Sequence, residues 1–162
     1  MSTLRTNAIQ TKTGKPILNS TGSILQVVSF TLNGANATTS STFQQSFLTA
    51  TITPSSSTSK ILIRFHAWAQ SFTTSNHVAW TIFRNNSVNL DYSNGLLGMG
   101  NYYVATNVID VEGVASVAWL DSPATTSATT YTVYYKSYNN SGSVSFGGGN
   151  RMSSIVLKEV SA

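Results

Sequence analysis

The segment KILIRFHAWAQSF, residues 60–72, alternates between two sets of side chains. Ile61, Ile63, Phe65, Ala67 and Ala69 fall on one side, and Leu62, Arg64, His66, Trp68 and Gln70 on the other. A period of two is the mark of a strand with one face in a core. A helix would scatter the same apolar set around its axis. This segment commits the chain to a sheet whose inner face needs a second layer over it.

The rest of the chain repeats the signal. GSILQVVSFTL (22–32), FQQSFLTATITP (43–54) and VAWTIFR (78–84) read as strands rich in β-branched and aromatic residues. Asn85-Asn86 follows the third and suits the positive φ angles of a tight hairpin. VEGVASVAWL (111–120) reads as a largely buried strand. In TTYTVYYKSY (129–138), Tyr131, Val133 and Tyr135 share one face, with Thr132, Tyr134 and Lys136 on the other. Asn139 to Gly142 forms a turn, SVSFGG a short strand, and SSIVLKEVSA the last one. NGANATTSST (33–42) and PSSSTS (54–59) read as polar loops, and Gly98-Met99-Gly100 as a turn. The glycines argue against a helix over 96–107. Eight to ten short strands between residue 23 and residue 162 predict an all-β sandwich or jelly roll.

Residues 1–22 lie outside this pattern. Their few apolar side chains, Leu4, Ala8, Ile9, Ile17 and Leu18, cannot offset the entropy of ordering the segment alone. Such an arm becomes ordered by lying on another surface. Charge supports this. Before Asp91 there are six bases (Arg5, Lys12, Lys15, Lys60, Arg64 and Arg84) and no acid; from Asp91 onward there are five acids and three bases. A basic arm can dock on an acidic surface, and simple solubility is the plainer alternative. The expected organisation is a docking arm over 1–22 and a head over 23–162. The N-terminal MSTLRTNAIQTKTGK lacks the apolar centre of a secretory signal, so synthesis and assembly inside a cell are expected. No apolar run reaches the roughly 20 residues of a bilayer-spanning helix, so membrane insertion is not expected.

The residues that could do chemistry are sparse. The chain has no cysteine, which excludes disulfides and thiolate chemistry. Of the two histidines, His66 shares a strand face with Arg64 and Trp68 and reads as a surface or interface residue, and His77, at a loop-to-strand junction, has no acid nearby in sequence. Asp110 and Glu112 share a strand face but have no third partner at a metal-ligand spacing. Gly147-Gly148-Gly149 lacks the Lys-Ser/Thr of a phosphate loop. Four Asn-x-Ser/Thr triplets, at Asn19, Asn36, Asn85 and Asn139, fit chance in a chain rich in these residues. The expectation is a non-enzymatic protein with no cofactor, no metal and no nucleic-acid partner.

The two ends carry a resemblance. MSTLRTNAIQ, GKPILNSTGSILQVV and the closing SSIVLKEVSA are similar to the corresponding segments of tailed-phage structural proteins, especially from phages of cyanobacteria and other aquatic bacteria. The middle resembles their compact β heads in pattern, and these resemble the jelly rolls of the tumour-necrosis-factor and complement type. The resemblance implies a virion location after assembly in the bacterial cytoplasm, a homotrimer, and contact with other virion proteins in tail or capsid. The extended shaft repeats of long fibres are absent, which implies a short fibre or tip.

On that resemblance, Leu4, Arg5, Ile9, Lys12, Lys15, Ile17 and Leu18 are the expected virion-docking residues. Trp68, Tyr135, Ile155 and Leu157 are the expected trimer-interface residues. Tyr102, Tyr103 and Tyr138, near turns, are the expected contacts to a host-surface glycan or protein. Loops 33–42, 71–77, 93–101 and 121–128 are the candidates for the distal end. Host attachment by a tail fibre or tip is the leading expectation, with capsid decoration as the alternative.

Overall fold

A computed structural model describes residues 21–73, 76–91, 95–100, 111–139, 142–147 and 150–162. These residues form eleven strands and no helix: β1 (Ile24–Leu32), β2 (Ala35–Thr38), β3 (Gln44–Ile52), β4 (Lys60–Ser71), β5 (Val78–Arg84), β6 (Val88–Asn89), β7 (Gly98–Gly100), β8 (Val111–Asp121), β9 (Thr129–Ser137), β10 (Val144–Gly147) and β11 (Ser153–Val160).

β4 organises a six-stranded antiparallel sheet. β8 runs along one edge of it, from Ile61 opposite Asp121 to Ser71 opposite Val111. The other edge is shared. β11 covers the first half of β4, with His66 opposite Ser154, and β10 covers the second, with Ala69 opposite Phe146. β1 then pairs with β11, and β2 with β10. The second sheet has five strands in the order β3-β9-β5, with β6 and β7 both on the far edge of β5. The two sheets form a β-sandwich.

The alternation in residues 60–72 decides which face of β4 is inside. Ile61, Ile63, Phe65, Ala67 and Ala69 are all buried, against Leu48, Ile82, Val133 and their neighbours on the second sheet. Phe146 is the hub of the core aromatics, with ring centres 5.4 Å from Tyr135, 6.2 Å from Phe65 and 6.5 Å from Trp80. These offset and tilted contacts add to the area that the rings bury.

Several expectations need correction. The polar stretch 33–42 contains β2, whose backbone pairs with β10 although its sequence ANAT carries no core residue. Gly98 to Gly100 is a strand, β7, rather than a turn. There glycine serves close approach, because a Cβ on Gly98 would overlap the indole of Trp80. The run 111–120 is buried on one face only. Ala115 is inside, while Val114 is 69% and Leu120 48% exposed. Among the described residues β8 pairs with β4 alone, so a continuous apolar run here reflects an apolar outer face on an edge strand. The Asn85-Asn86 turn takes the form expected, with φ of 50° and 55°.

Gly147 ends β10 at φ +96°, and a Cβ there would lie 2.5 Å from the Gly34 carbonyl oxygen. Strain and overlap with rigid backbone act together. Gly147→Ala is expected to cost about 2–3 kcal/mol. A denaturant titration with an unchanged midpoint would show that the backbone at 34–35 yields freely.

Candidate functional site

The ends of β4 define the two ends of the sandwich. At the Lys60 end the chain enters: Gly22 N–H donates to the Ser161 carbonyl, and Ser161 N–H to that of Ser23, each at 2.9 Å. The loop after β3 lies here too. It is held by the buried carboxylate of Glu159, which accepts from Ser55 N–H and Oγ at 2.7 Å each and from Gln26 Nε2 at 2.6 Å. Burial alone would raise the Glu159 pKa. Donors from Ser55, Gln26 and Ser59 outweigh it and hold the group at about 2. Asp121 closes the same end by joining the sheets. Arg84 Nη1 donates to both its oxygens at 2.9 and 2.8 Å, and the Tyr131 hydroxyl donates at 2.7 Å.

At the Ser71 end three chain segments meet. Ser137 N–H reaches the Ser40 carbonyl, and Tyr138 N–H the His77 carbonyl, both at 2.9 Å. Asn76, fully buried, ties the segments together. Its Nδ2 donates to the Gly142 carbonyl at 3.0 Å, and its Oδ1 accepts from His77 N–H at 2.9 Å and Ser137 Oγ at 3.1 Å. A fixed tip results, built from residues around 40 and 76, from 138–139 and from Gly142. The loop 121–128 follows the Asp121 end of β8, so it lies at the opposite end from 71–73 and 76–77.

From this tip a row of rings runs along the outer face of the second sheet. Tyr138 is 46% exposed and packs edge-on to His77 with ring centres 6.2 Å apart. The Lys136 ammonium sits 5.8 Å from the Tyr138 ring centre and 4.9 Å from that of Phe43. Phe43 contacts Phe83 edge-on at 6.2 Å, and Phe83 lies tilted against Tyr134 at 4.3 Å. Three elements supply this row: the residue before β3, the end of β5, and the outward positions of β9. Half-buried rings beside a cation present flat apolar surface and a hydrogen-bond donor together.

The outer face of the six-stranded sheet differs in character. Leu62, Val114, Leu120, Val156 and Val27 lie on it, with Val27 57% exposed. At its Ser71 end, Glu112 accepts from Trp68 Nε1 at 3.2 Å and pairs with Arg151 at 2.7 Å, while the Arg151 guanidinium stacks 4.7 Å from the Trp68 ring centre. Glu112 is thus held in an ion pair, while Asp110, its neighbour in the sequence reading, lies outside the described residues. Near the middle of this face is a shallow concavity of about 470 Å³, lined by Arg64, His66, Ser116, Ala118, Ser154 and Lys158 among others. No group of three or more His, Asp or Glu side chains converges among the described residues.

Of the expected site residues, Tyr138 is at the tip and exposed. Trp68 lies on the outer face of the first sheet. Tyr135, Ile155 and Leu157 point into the chain's own core, with exposures of 1%, 0% and 0%, so in this fold their side chains present no surface to a partner. Leu4, Arg5, Ile9, Lys12, Lys15, Ile17, Leu18, Tyr102, Tyr103 and Asp110 lie outside the described residues. Phe43, Phe83 and Lys136 were not singled out by sequence, because only the fold brings them together. No protein-family model matches this chain, and no curated protein matches it.

Proposed function

We propose that this chain is a virion structural protein of a tailed phage, a tail-fibre or tail-tip component that attaches to the host surface by multivalent, non-covalent binding. The observation that carries this reading is the row of rings around Lys136, which starts at the end of the sandwich opposite the point where residue 21 enters. An arm docked on the virion at one end leaves that tip facing outward. Tyr138 is then the leading contact, with Lys136, Phe43 and the tip loops beside it. Ring faces suit the apolar faces of sugars, and a rigid sheet holds them in place.

We also infer a jelly-roll topology, which fits the same reading. The long strands alternate between the sheets in chain order, giving β1-β11-β4-β8 opposite β3-β9-β5 with β6 and β7. The proposed assembly is a homotrimer formed through the outer face of the six-stranded sheet. Exposed Val27, Val114 and Leu120 favour that face, and three heads would multiply weak single contacts. The same apolar face favours a second reading, in which it clamps neighbouring shell subunits and the protein decorates the capsid.

Antibody labelling of intact particles under the electron microscope separates the two. Label at the tail or its appendages is the expected result. Label spread evenly over the capsid would replace attachment with decoration. A chain lacking residues 2–20 is expected to fold and yet fail to enter particles, and normal incorporation would remove the arm as the anchor.

A further inference from the structure

The concavity on the six-stranded sheet has a chemistry that the apolar face around it does not explain. In the pairing of β4 with β11, Arg64 stands opposite Val156 and Lys158 opposite Leu62, which makes the two residues diagonal neighbours on one face, with backbones roughly 7–8 Å apart. His66 lies beyond Arg64 in the same strand and is linked to Ser154, with Oγ 3.1 Å from Nδ1. On the other side, β8 sets Ala118 opposite Arg64 and Ser116 opposite His66. These small side chains leave the hollow open. Lys60 adds a further exposed cation at the end of the same strand face.

Among the described residues, no counter-charge lies in this region. Among the described residues, Glu112 is the acid that faces outward from this sheet. It lies opposite Gln70 near the far end of β4 and is already held by Arg151 and Trp68. Asp121 and Glu159 are buried inside the sandwich with their own partners. Arg64 and Lys158 form no ion pair among the described residues. A guanidinium fork, an ammonium and two serine hydroxyls around one hollow match the several acceptor oxygens of a tetrahedral oxyanion.

We propose that this groove binds a small oxyanion, sulfate or phosphate, and that the bound anion lets copies of this face meet. The inference rests on the proposed self-association through this sheet. Bringing the face together in three copies would bury several like charges amid Leu62, Val156 and Leu120. Such charges are costly unless paired and hydrogen-bonded. An oxyanion supplies both the charge and the acceptors.

Sedimentation velocity tests this at constant ionic strength, with a few millimolar sodium sulfate exchanged against sodium chloride. The wild-type chain is expected to associate at least about tenfold more tightly in sulfate. The double substitution Arg64→Gln, Lys158→Gln is expected to associate equally in both salts, after its denaturation midpoint has shown it folded. Equal wild-type association in both salts would overturn the anion site and leave self-association standing. A monomer in both salts would overturn association through this face, and the anion's role with it. A sulfate response that survives in the double variant would be a general salt effect on apolar contact and would overturn the groove.

Discussion

Replacing Asp121 with alanine is expected to lower stability by about 3–5 kcal/mol, the loss typical of one partner removed from a buried ion pair. Asp121 is 8% exposed, and its two oxygens serve three strands: β8, which carries it, β5 through Arg84, and β9 through the Tyr131 hydroxyl. Removing the carboxylate strands a guanidinium and a phenol at the junction of the two sheets. Burial, then the hydrogen bond to Asp121 and its charge, raises the Tyr131 pKa well above the ordinary phenol value, despite the opposing pull of Arg84. The hydroxyl therefore keeps its proton at neutral pH and needs an acceptor. For a domain of this size each kcal/mol lowers the melting temperature by about 2–4 °C, so a fall on the order of 10 °C is expected. Asp121→Asn keeps an acceptor for Tyr131 and should lose less. A loss below about 1 kcal/mol for the alanine variant, against the cited range for buried pairs, would show that Arg84 simply turns into solvent.

Glu159 gives the second large effect, read through pH. Its folded pKa is about 2 against an ordinary value of 4.5. A carboxylate with a depressed pKa binds fewer protons folded than unfolded, so it adds stability above the unfolded value. That contribution is complete above about pH 4.5 to 5 and disappears as pH falls through about 2. The difference corresponds to about 3 kcal/mol. Stability curves of the wild-type chain and Glu159→Gln should therefore lie about 3 kcal/mol apart at pH 7 and converge near pH 2. Parallel curves would mean that the Ser55 and Gln26 donors serve a neutral side chain equally well.

Much of the sandwich was legible because its long strands carry a two-residue period. The inward set on β4 could be read directly, as could Tyr131, Val133 and Tyr135 on β9. Asn85-Asn86 was legible because positive φ selects few residue types. β2 was not, since ANAT owes its strand geometry to hydrogen bonds with residues 144–147, more than a hundred positions away. Tyr135, Ile155 and Leu157 illustrate another limit: alternation separates two faces but does not say which faces the core and which a partner. Of the candidate site, Tyr138 could be picked as an aromatic beside a turn. Phe43, Phe83 and Lys136 become a unit only once three separate strands are laid side by side. The same holds for Arg64 and Lys158, which meet across the β4–β11 pairing.

The place of β11 bears on how the chain can be made. It is the last strand described, yet it lies in the middle of its sheet, between β1 and β4. β1 has no other ladder partner among the described residues. During synthesis at about 5–20 residues per second, β1 waits on the order of ten seconds for β11 to leave the ribosome. Until then the pairing edges of β1 and β4 stand open, and the sheet cannot close by growing from its beginning. Closure of this sheet therefore waits for β11, with its slowest contacts the longest in sequence, and premature termination before Ser153 would release a chain with two unsealed strand edges rather than a shorter sandwich.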